Sequence, residues 1–223
     1  GEHVAEDERD ALRLARACVA RLPAPAYDPP PAPPPKHDPE DLLAVATDPY
    51  ELLGRILDGS ELDEVRSGYG PEVCAGWGHV HGHPVGVIAE TGGPLRPEES
   101  RKACHLLRQA AATGTPVVLL RQGTSHPARA ETAMAQAAAG VPLIAVRVGG
   151  WCGIPLLNAA ARFRFAWPDA WATLNPGEPE ATALALSGRL DDDGVIDPRD
   201  TRTVLGFCLT LIAQARAREG ARA

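Results

Sequence analysis

The chain has 223 residues, a formal net charge of −7 and 44% hydrophobic residues, with only 4% aromatic residues. This length suffices for one large domain or two small ones with a sizeable core. The acidic balance disfavours nucleic acid as a partner. No apolar run is long enough to cross a bilayer. We therefore expect neither a nucleic-acid-binding protein nor a membrane protein.

The cysteines indicate a reducing compartment. Five are present, an odd number, and no two of them form a C-x-x-C pair. This pattern favours free thiols in a cytoplasmic protein over a disulfide framework or a zinc site. The first ten residues, GEHVAEDERD, are acidic and contain no apolar core, so we also expect no secretory signal there.

The N-terminal part of the chain predicts a helix followed by a linker. Apolar residues recur at helical spacing over Arg9–Leu22. Residues 23–47 begin with PAPAYDPPPAPPP, and proline has a fixed φ and no N–H, so this run cannot continue a helix or enter a sheet interior. We predict an extended, semi-rigid linker at 23–47, with the main domain at 48–223.

The main domain begins with a helix and a hairpin. Asp48 is predicted as the N-cap, Pro49 as the first helical residue, and Gly59 as the residue that ends the helix. The run VCAGWGHVHGHPVGVIAE predicts two strands with a turn at Gly82, because glycine adopts the backbone conformations that tight turns need.

Helices and buried strands then alternate. A helix is predicted from Pro97 to Gly114, followed by the apolar strand TPVVLLRQ, a helix ending at Gly140 and the apolar strand VPLIAVRVGG. A short strand at Phe163–Trp167 and a last helix capped by Asp197 complete the series. Strands that alternate with helices imply an α/β core with parallel pairing.

The stretch RVGGWCGIPLLNAAARF (Arg147–Phe163) stands out because an apolar run stops at Gly149 and Gly150 and an Ala-rich segment follows. A tight glycine loop between a strand and a helix directs free backbone N–H groups toward an anion. We predict such a loop here.

Five collinear segments carry a resemblance to a known family: DGSELDEVRSGYGPEV, HGHPVGVIAETGG, RVGGWCGIP, RFRFAWPDA and DDDGVIDPRDTRTVLGFCL. Together they resemble the C-terminal lobe of the carboxyltransferase (β) subunit of biotin-dependent acyl-CoA carboxylases, of the propionyl- and methylcrotonyl-CoA type. The similarity runs from about Asp38 to about Leu211. It implies a crotonase-like α/β fold, a ββα superhelix, present as a single C-lobe. Residues 1–22 would then be the remnant of an N-lobe.

The resemblance also implies a site. Carboxyl transfer in this family passes through a biotin enolate and a thioester enolate, each stabilised by backbone N–H groups, and Gly153 and Ile154 match the positions that supply these groups on the biotin side. His126 lies in the interval RQGTSHPARAE, near this site, and is a candidate general acid or base. The candidate substrate-binding residues are Gly92, Gly93, Gly123, Gly149, Gly150 and Cys152.

The implied substrate is an acyl-CoA or acyl-carrier thioester, and the implied cofactor is biotin on a carrier protein. Two departures from the family leave the use of biotin open. Pro155 stands where relatives have glycine, and it lacks an N–H and restricts Ile154. The interval after TPVVLLRQ is shorter and lacks the family's Gly-Phe-x-x-Gly turn. Half of a two-lobe site further implies a homo-oligomer or an N-lobe partner subunit.

Three functions stay open at this point. The chain is an acyl-CoA carboxyltransferase-type enzyme, or a biotin-independent decarboxylase or thioester hydrolase on the same scaffold, or a non-catalytic subunit of a carboxylase or biosynthetic complex. The first two need the same backbone oxyanion hole, whereas the third needs none.

Some polar residues admit a functional and a structural interpretation. His79, His81 and His83 alternate as metal ligands can, but no fourth ligand is suitably spaced, so we expect a hairpin with exposed imidazoles and no metal site. Cys152 is either an activated nucleophile or a small buried side chain.

Two arginines raise the same question. Arg129 and Arg147 can bind a carboxylate or phosphate, but we expect a solvated position for both. The segment RLDDDGVIDPRD does not have the spacing of a calcium loop, and we expect it to start the last helix.

Overall fold

The computed structural model describes residues 5–20, 31–44, 48–153, 156–173 and 181–220, for a few of them only as backbone. The chain divides into two compact units, Pro29–Ile212 and a small unit made of Gly1–Asp28 with Ala213–Ala223. The larger unit holds the sheet and the candidate site. The predicted boundaries, with an N-terminal helix at 1–22, a linker at 23–47 and a main domain at 48–223, stay predictions. Leu42, which belongs to the predicted linker, is buried in the larger unit.

The described helices and strands follow the predicted order. The helices are α1 (Glu8–Ala20), α2 (Pro49–Ile56), α3 (Pro97–Thr113), α4 (Ala128–Ala137), α5 (Leu156–Ala159), α6 (Ala183–Ser187) and α7 (Thr201–Gly220). The strands are β1 (Asp63–Glu64), β2 (Val73–Val80), β3 (His83–Glu90), β4 (Val117–His126), β5 (Leu143–Gly153), β6 (Phe163–Ala166), β7 (Trp171–Thr173), β8 (Ala181–Thr182) and β9 (Gly194–Val195). Short 3₁₀ helices lie at Pro39–Leu43, Asp58–Ser60 and Pro198–Asp200.

These strands form one sheet in the order β1-β2-β3-β4-β5-β6-β9. β7 also pairs with β5, at residues that follow those paired with β6. The first three strands are antiparallel neighbours, whereas β3, β4, β5, β6 and β9 run parallel. The parallel α/β core predicted from the alternation of elements is therefore confirmed.

Helices cover both faces of this sheet. On one face the apolar side chains of α2 and α7 pack against alternate residues of β3, β4 and β5. On the other face α3, α4 and α5 pack against the intervening residues, among them Ile88, Leu119 and Ala145. Parallel strands buried on both faces are continuously apolar, which explains the runs VVLLR and LIAV.

Two predicted helix boundaries rest on observed caps, whereas the prediction that Gly59 ends α2 is wrong, because α2 ends at Ile56 and Gly59 lies in the 3₁₀ helix that follows. The Asp48 carboxylate accepts the N–H of Tyr50 at 2.8 Å, and Pro49 begins α2. Gly114 ends α3 with a φ of +69°, a conformation that glycine adopts without steric cost. Local signals at helix ends therefore identified these boundaries correctly.

The hairpin between β2 and β3 turns at His81 and Gly82, which have φ values of +50° and +78°. The Asp58 carboxylate accepts the N–H groups of both residues, at 2.9 Å and 2.7 Å. Arg202 of α7 donates Nη2–H to the same carboxylate at 2.5 Å. One buried carboxylate therefore fixes the turn against the last helix.

Candidate functional site

The C-terminal ends of β3, β4 and β5 meet at one edge of the sheet. Gly92 forms a parallel bridge with Gly123, and Gly123 pairs in turn with Trp151. Further along the same strands, His126 pairs with Gly153. Residues from three predicted segments therefore lie side by side, because parallel strands end at the same edge. We refer to Gly92, Gly123 and Trp151 as the glycine row.

The predicted loop at the double glycine is wrong, because β5 continues through both glycines to residue 153. A Cβ on Gly149 would lie 2.7 Å from Oε1 of Gln122, and a Cβ on Gly150 would overlap the indole ring of Trp171. Both glycines therefore allow side chains from β4 and β7 to pack directly on the β5 backbone. The double glycine therefore indicates that side chains approach the β5 backbone closely, not that the chain turns there.

A buried ion cluster lies beside the glycine row. Arg121, fully buried, contacts Glu90 through Nε at 3.1 Å and Glu131 through Nη2 at 2.5 Å. Its guanidinium lies 4.3 Å from the ring centroid of Trp151. The other oxygen of Glu131 accepts the N–H of Leu157 at 2.9 Å. Arg121 therefore connects four elements around the end of β5, a role that was not predicted from the sequence.

The electrostatics of this cluster keep Arg121 charged. Burial acts to lower the pKa of the Arg121 guanidinium, but the carboxylates of Glu90 and Glu131 outweigh burial, and the net pKa is raised. A signal was present in the sequence, since an arginine inside the apolar strand VVLLRQ needs a buried partner.

A groove of about 360 Å³ lies at the same edge, between the first turns of α3 and α4. Both helices begin shortly after the C-terminal ends of β3 and β4. The groove is lined by Leu95, Arg96, Pro97, Ser100, Arg101, Pro127, Arg129, Ala130 and Ala133. Its three arginines are exposed, as expected for Arg129. A partly apolar groove with this cationic rim, which we call the arginine groove, suits an anionic ligand with an apolar part.

The solvated position predicted for Arg147 is wrong. Its exposed fraction is 8%, because β5 is an internal strand covered by helices. Burial lowers the pKa of Arg147, and the charges of Asp192 and Asp191 partly oppose this effect.

The exposed imidazoles predicted for the hairpin are only partly observed. His79 is exposed, but His83 is 3% exposed and its Nε2 lies 3.1 Å from the Thr210 hydroxyl. His81 is half-buried against Arg202, with 3.0 Å between Nε2 and Nη1. Burial lowers the pKa of both His81 and His83. Within the described ranges, no three His, Cys, Asp or Glu side chains form a metal site.

Other predicted site residues are only partly described. His126 ends β4, but its side chain lies outside the described part of the chain, as do Ile154 and Pro155. Cys152 is half-buried on β5 and pairs with Thr173 of β7. Gly93 lies close to Glu72, whose carboxylate a Cβ at this position would overlap. The catalytic and binding roles assigned to these residues stay predictions.

Comparison with known proteins gives consistent matches. The family model described as "Carboxyl transferase domain" matches residues 1–131. A protein of Mycobacterium tuberculosis named "Probable biotin-dependent acyl-coenzyme A carboxylase beta2 subunit" is 34% identical over 279 residues, covering 95% of this chain and 52% of that protein. The β1 subunit of a biotin-dependent 3-methylcrotonyl-coenzyme A carboxylase from the same organism is 30% identical, covering 96% of this chain and 53% of that protein.

A solved structure shows the same fold. The β subunit of geranyl-CoA carboxylase from P. aeruginosa superposes with a TM-score of 0.79 at 28% identity, over 97% of this chain and 53% of that chain. This likeness confirms the predicted crotonase-like α/β fold. The chain spans about half the length of the relatives it matches. No helix in the described ranges is long and apolar enough to span a membrane.

Proposed function

Because this chain belongs to the carboxyl transferase domain family, we propose that it supplies one half of a carboxyltransferase-type site that acts on an acyl-CoA or malonyl-type thioester. The observation that carries this proposal is the convergence of the glycine row and the arginine groove at one edge of the parallel sheet. Ligands of α/β proteins bind at the carboxyl ends of the strands, where these features lie.

The chemistry requires stabilisation of a thioester enolate rather than a nucleophilic side chain. Removal of a proton or of CO₂ from the α-carbon leaves negative charge on the thioester oxygen. Two backbone N–H groups that point at this oxygen stabilise the charge, and losing one such donor typically costs about 2.7–4 kcal/mol of barrier. In our proposal Gly153 and Ile154 supply these donors.

The arginine groove supports an acyl-CoA substrate. An acyl-CoA carries the phosphate groups of coenzyme A at one end and an acyl chain, joined through the thioester, at the other. Arg96, Arg101 and Arg129 would bind phosphate, and Leu95 with Ala130 provides an apolar floor. The groove thus combines the two chemical features that the substrate class has.

Biotin does not fit at the double glycine. The space next to Gly149 and Gly150 is filled by the side chains of Gln122 and Trp171, so the described residues leave no cradle for a ureido ring there. The resemblance places the biotin side at Gly153 and Ile154 rather than at this pair, and Ile154 lies outside the described residues, so we derive no step through biotin. The described residues support thioester binding at this edge of the sheet, not a biotin pocket at the glycine pair.

The share of the relatives that this chain covers supports a second subunit or a second copy of the chain as a partner. The relatives are about twice as long as the matched region. We propose that a lobe equivalent to the remaining half, from a second subunit or from another copy of the chain, completes the cleft.

Hydrogen exchange at the substrate tests the proposal without biotin. Propionyl-CoA is incubated with the chain in D₂O, with and without the remaining half of the M. tuberculosis relative, and deuterium at the α-carbon is measured by mass spectrometry. We expect exchange that saturates with propionyl-CoA. Gly123→Val should reduce it roughly a hundredfold, because small displacements at a site cost about that much. The matched control is Gly68→Ala, since no atom lies within 4 Å of a Cβ there.

Product analysis separates the alternatives. Malonyl-CoA and methylmalonyl-CoA are supplied with and without free biotin. Turnover that requires biotin supports carboxyl transfer. Acetyl- or propionyl-CoA formed without biotin indicates a decarboxylase, and free CoA indicates a hydrolase. Absence of both exchange and turnover, with the added half present, contradicts the proposal and leaves a non-catalytic subunit.

A further inference from the structure

A second cavity lies away from the arginine groove, under α5 and α6, and shares no lining residue with it. It measures about 200 Å³. It is lined by Ala145, Arg147, Asn158, Ala159, Arg164, Phe165, Leu186, Asp191 and Asp192. We call it the β5–β6 cavity, because its floor is formed by these two paired strands.

Several buried polar atoms around this cavity have no hydrogen-bond partner among the described residues. They are Nε and Nη1 of Arg147, Oδ1 of Asn158 and both carboxylate oxygens of Asp192. The exposed fractions of these residues are 8%, 7% and 8%. Buried polar atoms are almost always hydrogen-bonded, and a buried unpaired charge is costly. The clustering of unpaired polar atoms around one cavity therefore needs an explanation.

The positions of these groups are fixed by the backbone. Ala145 and Arg164 are register partners on β5 and β6, and Arg147 pairs with Ala166. Asp193, next to Asp192, donates its N–H to the Arg164 carbonyl and accepts the Arg164 N–H, both at 2.7 Å. Arg147 on β5 and Asp192, in the bend before β9, are thus held in place, and neither Nε and Nη1 of Arg147 nor the carboxylate oxygens of Asp192 have a hydrogen-bond partner among the described residues.

The charges that face the cavity determine which ligand suits it. Arg147 and Arg164 contribute two positive charges, and Asp191 and Asp192 contribute two negative charges. A simple anion would lie beside the buried Asp192, and a metal ion would lie beside the buried Arg147. A ligand with one group of each sign can satisfy both residues at once.

The volume limits the size of this ligand. Pockets for drug-sized molecules usually measure about 300–1,000 Å³, and the β5–β6 cavity is smaller. It is too small for a nucleotide but has room for a short side chain against Phe165 and Leu186.

We propose that the β5–β6 cavity binds a small zwitterion of amino-acid type, whose carboxylate is bound by Arg147 and whose ammonium group is bound by Asp192 and by Oδ1 of Asn158. This inference does not depend on the proposed thioester chemistry, because the residues belong to a different cavity.

Titration of the intact chain tests this proposal. Glycine, L-alanine and β-alanine are added separately, and the backbone amide signals of Ala145 and Phe165 are followed by ¹H–¹⁵N NMR. Sodium acetate and methylammonium chloride, each carrying one of the two charges, are the comparison ligands. We expect saturable shifts with at least one zwitterion, and at least tenfold weaker binding of either single-charge ion.

Substitutions then test the two charged residues. Arg147→Met and Asp192→Asn should each weaken binding at least tenfold, whereas Arg129→Met in the arginine groove should not change it. Because a single substitution leaves one buried charge alone and can unfold the protein, Arg147→Met/Asp192→Asn is included. Removing both charges of a buried pair is often neutral or stabilising, so this variant should fold without binding.

Two results would overturn the proposal. One is the absence of saturable shifts for all three zwitterions up to about 100 mM, a concentration well above that of weak specific binding. This result would mean that water alone fills the cavity. The other is binding of acetate or methylammonium as tight as that of the zwitterions, which would show a site for a single charge.

Discussion

Arg121 and Arg147 are direct register partners on the adjacent parallel strands β4 and β5, and both are buried. The two arginines have different surroundings. Arg121 forms ion pairs with Glu90 and Glu131, whereas Asp192 and Asp191 act on Arg147 only at longer range. The same residue type therefore serves as a structural connection on one strand and borders a cavity on the next.

Replacing Arg121 should destabilise the fold strongly. Arg121→Met leaves the fully buried Glu131 without its cation, and breaking a buried pair typically costs about 3–5 kcal/mol. The free energy of unfolding is measured by urea denaturation. Arg121→Met/Glu131→Leu, which removes both charges, should recover part of the loss. A loss below about 1 kcal/mol for Arg121→Met, typical of exposed pairs, would contradict the role of this cluster.

The second prediction concerns the close approach of β7 to β5. Gly150→Ala should destabilise the protein by about 1–3 kcal/mol, because its Cβ overlaps the Trp171 ring and overpacking costs about that much. Trp171→Leu removes the overlapping atoms, so in this background the additional cost of Gly150→Ala should shrink. The free energies of unfolding are compared in a double-mutant cycle, with Gly68→Ala as the control substitution. An equal loss of stability from Gly150→Ala in both backgrounds would show that the Trp171 ring is not what the new Cβ meets.

The hairpin histidines predict a pH dependence of stability. Burial and the neighbouring Arg202 hold the pKa of His81 below its usual 6.5, so the folded state favours the neutral ring. Above pH 6.5 both states are neutral and this stability is fully present. As the pH falls below 6.5, the unfolded state binds the proton first, and the free energy of unfolding decreases.

His81→Asn isolates this contribution. Asparagine tolerates the positive φ of this position but does not titrate. The unfolding free energy of the variant should therefore decrease less between pH 7 and pH 5 than that of the parent chain. Some decrease should persist, because the pKa of His83 is also lowered. Identical slopes for both proteins would exclude His81 as a source.

The arginine groove predicts an effect on substrate affinity. Arg129→Met and Arg96→Met should each raise KM for acyl-CoA several-fold in the exchange assay, with little change in kcat, because a contact with phosphate acts equally on ground state and transition state. Raising the salt concentration should reduce the difference between variant and parent, since exposed charges are screened. A decrease in kcat alone would place the substrate elsewhere.

Local sequence patterns predicted the elements well. Asp48, Pro49 and Gly114 mark helix ends through their own backbone preferences, and these preferences act over a few residues. The family and its α/β fold also follow from the sequence, because five ordered motifs are specific. The double glycine was misinterpreted because a glycine pair is compatible with a turn and with close packing.

The order of helices and strands, the turn of the hairpin and the family all follow from the amino-acid sequence. Three contacts become visible only in the folded chain: Trp171 packs on Gly150, Arg121 pairs with Glu131, and Arg147 and Asp192 border one cavity. The physical reason is distance along the chain. Local preferences depend on neighbours within a helical turn, whereas burial and ion pairing depend on strands and helices that meet only after the sheet has formed.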